Sequence, residues 1–199
     1  MNVSRETICQ LKDYQKLLER WQKKLNLVSS LTLSEAWDRH FVDSSQLLSY
    51  LPSEKASLID LGSGAGFPGL VLAILRPETL SVTLIEVDFK KCMFLENVSR
   101  ETKVHVTVIR SRIESLEKSI QGDVITARAL APLPQLLDYV FPLMKEGSVG
   151  LFLKGKEVDK ELEDAQKKWK FDLEIYPSLT DSKGRILKIK HLRKAVSHD

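Results

Sequence analysis

The sequence predicts a doubly wound α/β domain, in which helices cover both faces of a mostly parallel sheet, with an N-terminal helical cap. Three observations carry this expectation. Helical periodicity fills the first 50 residues, and from about Lys55 onward short apolar runs alternate with helical stretches. The first of those runs also turns through a glycine cluster directly into a helix.

The cap spans 1–52. Ile8, Leu11, Tyr14, Leu18, Trp21 and Leu25 recur at steps of three and four, which puts them on one helical face. Asn26 to Leu31 breaks that pattern. Thr32 stands three residues before Glu35 as a capping box, opening a second helix that Pro52 terminates. Trp37, Phe41, Ser44, Leu48 and Leu51 are expected along one side of it.

The core spans 53–199. Leu58 to Leu61 is a strand, and Pro68 opens a buried helix that ends before Pro77. Strand Val82–Ile85, helix Phe89–Val98 and an alternating strand through Val104, Val106 and Val108 follow. Strand Asp123–Ala127 leads to a helix from about Leu133 to Met144. Strand Val149–Leu153 leads to a helix from Val158 to Trp169. Phe171–Tyr176 and Ile186–Leu192 then alternate like a closing antiparallel pair, which brings the strands to seven.

At 199 residues, 43% of them hydrophobic and 29% charged, the chain fits one soluble domain able to bury its own core. Cys9 and Cys92 stand without CxxC or Cys/His spacing, which argues against structural zinc and for a reducing compartment. His40, His105, His191 and His198 cluster with no acid or cysteine at ligand spacing, so no metal is expected. The longest apolar run, Leu70–Leu75, is far short of a membrane span, and no apolar h-region follows Met1–Glu6. A cytoplasmic monomer without a membrane partner is the expectation. A net charge of +3 does not by itself demand a nucleic-acid partner. However, Lys183, Arg185, Lys188, Lys190, Arg193 and Lys194 lie in a stretch without a carboxylate. That stretch reads either as a phosphate-contacting surface or as a strand edge guarded by lysines.

Asp60-Leu61-Gly62-Ser63-Gly64-Ala65-Gly66-Phe67-Pro68-Gly69 carries the strongest chemical signal. Gly64, Gly66 and Gly69 satisfy GxGxxG, the frame that cradles a dinucleotide pyrophosphate, but it begins two residues after the strand ends. The frame starting at Gly62 sets Asp60 at the strand end, where a carboxylate repels a pyrophosphate and attracts a cationic ligand. S-adenosyl-L-methionine carries a sulfonium and an ammonium and no phosphate, so the acidic frame favours it. Glu86, 24 residues after Gly62, closes the next strand, where a carboxylate accepts ribose hydroxyls of either kind of nucleoside. Ile113 and Glu114 follow the third strand and could frame an adenine edge. Arg128 directly follows the Asp123–Ala127 strand, where a guanidinium can fork a carboxylate or phosphate. On the second helix, Arg39-His40 and Asp43-Ser44 sit one turn apart.

Taken together, these motifs resemble the glucose-inhibited division protein B family, bacterial methyltransferases that modify N7 of a guanine in small-subunit ribosomal RNA. The residues that carry the resemblance are Trp21, Asn26-Leu27-Val28, Arg39 to Ser44 and the loop Asp60–Gly69. They continue with Lys90 to Leu95, Ser111 to Glu114, Arg128-Ala129 and Lys154-Gly155. The resemblance implies a Rossmann-like class I methyltransferase fold, with Gly62, Gly64 and Phe67 lining the S-adenosylmethionine pocket and Glu86 on the ribose. It further implies Ile113 and Glu114 at the adenine, and Arg128 beside the methionine part or the RNA. Ser63 stands where the family often has threonine, and Asn26-Leu27-Val28 where it often has Asn-Leu-Thr, so no catalytic hydroxyl is expected at Val28.

The implied partner is small-subunit ribosomal RNA or the assembled small subunit, with Arg39, Lys154, Lys156, Arg185, Lys188 and Lys190 as phosphate contacts. His40, Asp43 and Arg128 are the candidate catalytic residues. Guanine N7 carries a free lone pair, so its methylation needs no general base, and neither a triad nor a GxSxG elbow is visible. Two readings compete: an NAD(P)-dependent oxidoreductase, for which no proton-donor pair is evident, and a non-catalytic RNA-binding protein on a nucleotide fold.

Overall fold

A computed structural model describes residues 3–29, 33, 35–117 and 119–195. Thr32, the expected cap of the second helix, and His198 lie outside the described residues. Helix α1 (Arg5–Gln22) is capped by Ser4, whose hydroxyl accepts from the Thr7 amide, and buries Leu11, Tyr14, Leu17 and Leu18. Gln22 turns the chain away at its end by accepting from the amides of Leu27 and Val28.

The second cap segment corrects the expectation of one regular helix. A π-helical turn (Trp37–Val42) runs into a short α-helix, α2 (Asp43–Ser45), and a 3-10 turn (Gln46–Tyr50). The wider turn buries both His40 and Phe41, and the next stretch buries Ser44, Gln46 and Leu47. Polar side chains thereby face inward at the point where the cap meets the sheet.

Seven strands form one sheet: β1 (Ala56–Leu61), β2 (Leu80–Glu86), β3 (Val106–Arg110), β4 (Gly122–Arg128), β5 (Met144–Lys154), β6 (Trp169–Pro177) and β7 (Arg185–Lys194). Their spatial order is β3-β2-β1-β4-β5-β7-β6, and β1 pairs in parallel with both β2 and β4. β7 runs antiparallel to β5 and to β6, which brings β6 back into line with the parallel strands. Helices α3 (Gly69–Leu75) and α4 (Phe89–Glu101) share one face of the sheet with α1. Helices α5 (Leu133–Val140) and α6 (Val158–Gln166) cover the other.

Several boundaries differ from expectation. The helix expected to Met144 ends at Val140 and passes through a 3-10 turn, and β5 begins at Met144 rather than Val149. The helix expected to Trp169 stops at Gln166; Trp169 opens β6 and is buried against α5 and α6. The third strand starts at Val106, with Val104 buried just before it. The lysine-rich strand β7 is not a sheet edge, because β6 lies outside it.

The order of strands reverses between β1 and β4, and a crevice opens there beyond their carboxyl ends. That is where the candidate residues converge.

Candidate functional site

Two cavities meet at the end of β4. The larger, ≈ 440 Å³, is walled by Gly62 and Gly64 after β1, Glu86 after β2, Ile113 and Glu114 after β3, and Ala129–Pro132 after β4. Gly62, Gly64 and Gly66 all have positive φ (61°, 56° and 93°), conformations that glycine adopts without strain. At Gly64 a Cβ would meet nothing but the Gly62 carbonyl oxygen at 3.7 Å, so the backbone itself faces open space.

Glu86 is almost wholly buried. One carboxylate oxygen accepts from the Gly64 amide (2.8 Å), the other from the amides of Val87 (2.8 Å) and Asp88 (2.9 Å). A carboxylate has about four lone-pair sites, which leaves capacity for a ribose hydroxyl. The cleft suits a nucleoside: an acid at the ribose position, Ile85, Ile113 and Leu130 as apolar walls, and Glu114 as an edge acceptor.

The loop is poorly equipped for a pyrophosphate. The Ser63 amide donates to Ile85 O (3.0 Å), the Gly64 amide to Glu86, and the Gly66 amide to Ser63 O (2.6 Å). A phosphate cradle needs such amides free. Asp60 adds a buried carboxyl group beneath the loop. Fully buried, it accepts from the Thr126 hydroxyl (2.7 Å) and lies so close to the start of α3 that a Cβ on Gly69 would come within 2.8 Å of Oδ2. Burial pushes its pKa up to about 6, against the pull of the Thr126 and Ser63 hydroxyls and the Gly69 amide. The donor set fits a cationic nucleoside such as S-adenosylmethionine and disfavours a dinucleotide. Lys91 and Arg112 also line the cleft.

The second cavity, ≈ 190 Å³, lies beyond Arg128, between the cap and the loop joining β6 to β7. Arg39, His40, Asp43 and Arg128 line it from one side, Ser178, Thr180 and Asp181 from the other. Arg128 Nη1 donates to the Arg39 carbonyl (3.1 Å) and to His40 Nδ1 (2.8 Å), and lies 3.7 Å from Asp43 Oδ2. The guanidinium also lies 5.1 Å from the ring centroid of Phe67. Arg128 Nε and Nη2 form no hydrogen bond within the protein among the described residues. With Nδ1 accepting, His40 is the neutral tautomer protonated on Nε2. Burial and the Arg128 charge lower its pKa to about 4.

The expected residues thus divide. Gly62, Gly64, Glu86, Ile113 and Glu114 come together in the cleft; Arg39, His40, Asp43, Arg128, Lys154 and Arg185 come together in the adjoining cavity. Phe67 lines neither; it is buried between Tyr14, Phe41 and His40 beneath Arg128. Asp60 also lies below the surface of the cleft. Lys154 is largely buried, its ammonium 2.5 Å from Glu161 and donating to Ala131 O (2.9 Å), while Glu161 in turn accepts from the Leu133 amide. Lys188 and Lys190 both face Glu174 on β6, at 3.1 and 3.9 Å. Lys156 is exposed beside Glu157. Sequence reasoning missed Ser178, Thr180 and Asp181, which reach the site only through the β6–β7 connection and carry no local motif.

An open α/β sheet with strand order 3-2-1-4-5-7-6 and a cleft at its β1/β4 switch point places the chain in the Rossmann-like class to which S-adenosylmethionine-dependent methyltransferases belong. The fold is similar to a SAM-dependent methyltransferase from Aquifex aeolicus (TM-score 0.62, 16% identity, 89% of this chain and 97% of that one). It is likewise similar to a ribosomal protein L11 methylase from Lactobacillus delbrueckii (TM-score 0.62, 13% identity, 76% and 78%). Within that class, residues 7–191 match the GidB family profile, described as rRNA small subunit methyltransferase G, and the chain belongs to that family. Relatives named ribosomal RNA small subunit methyltransferase G are 46% identical in Parvibaculum lavamentivorans (96% of this chain, 86% of the relative) and in Rhodospirillum rubrum (97% and 94%).

Among the described residues, no group of three or more His, Cys, Asp or Glu is arranged to hold a metal, and no helix is long and apolar enough to cross a membrane.

Proposed function

We propose that this chain transfers a methyl group from S-adenosylmethionine to N7 of a guanine in small-subunit ribosomal RNA, free or in the assembled subunit. The observation that carries this reading is the adjacency of the two cavities along Arg128–Ala131: the cleft opens beside a cavity lined by Arg39, Arg128, Lys154 and Arg185 whose proton-accepting groups are already engaged. His40 Nδ1 is engaged by Arg128, the Asp43 carboxylate is held by Thr180, Gln46 and Arg128, and Asp181 Oδ1 accepts from the Lys183 amide. A site with its bases committed in this way suits a nucleophile that already has a lone pair.

S-adenosylmethionine, when bound, supplies an electrophilic methyl whose bond to sulfur breaks as the N7 lone pair forms the new bond, leaving the neutral thioether and a cationic base. Glu86 holds the ribose hydroxyls, Ile113 and Glu114 the adenine, and the Gly62–Gly64 backbone lets the reacting end approach closely. Arg128 offers Nε and Nη2 to the guanine carbonyl or a phosphate oxygen, and its orientation is set by His40, Asp43 and Phe67. Asp43 balances the positive charge that accumulates on the base. The task is positioning and exclusion of water, which alone can account for large accelerations. Arg39, Arg185 and Lys156 contact phosphates, with Lys188 and Lys190 farther along β7. Lys154 acts by bracing the Ala131–Leu133 wall through Glu161.

The test is transfer of labelled methyl to small subunits lacking the modification, with nucleoside mass spectrometry. N7-methylguanosine is the expected product; no transfer to subunits or to their stripped RNA would overturn the assignment.

A further inference from the structure

The loop between β6 and β7 carries an exposed leucine on an unusually well-anchored backbone. Leu179 is 81% exposed, yet its amide donates to Gln46 Oε1 (3.0 Å), and Gln46 is itself buried. On one side of it, Ser178 donates to Asp43 Oδ1 (3.4 Å), and the Ser178 amide bonds to Gly184 O (3.1 Å). On the other, the Thr180 hydroxyl donates to the same Asp43 oxygen (2.7 Å), which also accepts from Gln46 Nε2 (2.8 Å). The Gly184 amide bonds to Asp181 O (2.9 Å), closing the turn. A network of part-buried polar groups reaching across more than 130 residues of sequence thus anchors the backbone that presents one apolar side chain to solvent.

The position of this leucine gives the anchoring a purpose. Ser178 and Thr180 line the ≈ 190 Å³ cavity, whereas Leu179 between them is not part of its lining and is exposed; Arg39 and Arg185 line the same cavity. A guanine taken into that cavity leaves a gap in its stack. An apolar side chain held rigidly at the mouth, flanked by cations for the backbone, is the usual device for filling such a gap. N7 lies on the edge that a paired RNA helix hides in its deep, narrow groove, so extraction is needed wherever the target is stacked.

We propose that Leu179 is a wedge that occupies the stack position vacated by the target guanine, so that this loop recognises bases flanking the target rather than the target itself. This inference rests on the N7-guanine reading above. It assigns to the Asp43–Gln46 pair a positioning role: they hold the wedge.

The experiment compares two RNA hairpins of one sequence. In the first the target guanine is paired and stacked; in the second it faces an abasic site and is already loose. Methyl transfer is measured for the parent protein, Leu179→Ala and Leu179→Met, and the parent's binding is followed by 2-aminopurine fluorescence at the target position with S-adenosylhomocysteine present. The expected result is that Leu179→Ala lowers kcat/KM on the stacked hairpin about tenfold, equivalent to about 1.4 kcal/mol and so part of the cost of unstacking. It should change the loose one less than twofold, and Leu179→Met should restore the stacked rate. The fluorescence rise on binding should likewise shrink for Leu179→Ala on the stacked RNA. Equal losses on both hairpins, or no loss on either, would overturn the wedge. Parent protein that methylates N7 neither in the hairpins nor in small subunits lacking the modification would instead bring down the N7-guanine reading, and the wedge with it.

Discussion

At the scale of single residues, the site holds two buried groups whose titrations oppose each other. His40 falls from its ordinary 6.5 to about 4 on folding, so between those values the unfolded chain binds a proton that the folded chain refuses. Its contribution to stability is present above 6.5 and lost as pH falls towards 4. Asp60 rises from 3.8 to about 6, so the folded chain binds the extra proton; its contribution is present below 3.8 and lost as pH rises through 6. Each is worth about 3 kcal/mol across its window by linkage. Thermal melts from pH 7 to 4 should therefore show a shallow slope in the parent protein. His40→Gln should leave stability falling as pH rises, and Asp60→Asn should leave it falling as pH drops; parallel curves for all three proteins would refute both assignments. Arg128 is the other decisive residue. Because its guanidinium lies over the Phe67 ring while Nη1 is tied down, Arg128→Lys should not substitute for it. Methyl transfer should fall by about 10²-fold or more, while S-adenosylhomocysteine affinity, measured by calorimetry, stays within a few fold.

Among the elements, the glycine loop depends on the cap. Tyr14 of α1 is buried and donates to Ala65 O inside the loop, and a Cβ on Gly66 would meet its hydroxyl at 2.5 Å. Tyr14→Phe should cost about 1–3 kcal/mol in urea denaturation, because it strands a buried carbonyl. Gly66→Ala should cost more, since it adds both that collision and a strained φ of 93°. The alternation of short apolar runs and helices made the strand order's ingredients legible, and Asp60, Gly62 and Glu86 fell at strand ends where motif spacing put them. The misjudged elements share a physical cause. The first residues of β5 are exposed, so they show no apolar alternation, and the run through Pro142 looked like continued helix. Trp169 fits the apolar side of α6 as well as it fits β6, and only burial against Phe141 separates the two. The π turn at Trp37–Val42 shifts the inward face by one residue, which is why His40 and Phe41 are buried together.

Across the whole molecule, charge that is adjacent in sequence is redistributed by pairing across strands. Lys188 and Lys190 lie in a run free of carboxylates, but the antiparallel register of β6 and β7 lays Glu174 opposite Lys188. Arg39 and Arg185, 146 positions apart by number, end up at one cavity. RNA affinity should therefore lose more of its salt dependence in Arg39→Gln/Arg185→Gln, about 0.7 in slope per single-stranded phosphate contact, than in Lys188→Gln/Lys190→Gln. Filter binding over a salt series separates the pairs, and a larger drop for the lysines would place the RNA along β7 instead. Long-range assembly of this kind explains why the lining of the glycine-loop cleft was readable from motifs and that of the second cavity was only half so. The junction at Arg128–Ala131 has a thermodynamic consequence. Arg128 lines one cavity and the residues directly after it, Ala129–Ala131, line the other, so a ligand in either that moves this stretch changes the conformation seen by the other, and linkage makes any such bias reciprocal. Whatever factor the spent thioether adds to RNA affinity, RNA must add to thioether affinity. A product that tightens its own complex in this way would make release, rather than chemistry, the step that sets the turnover rate.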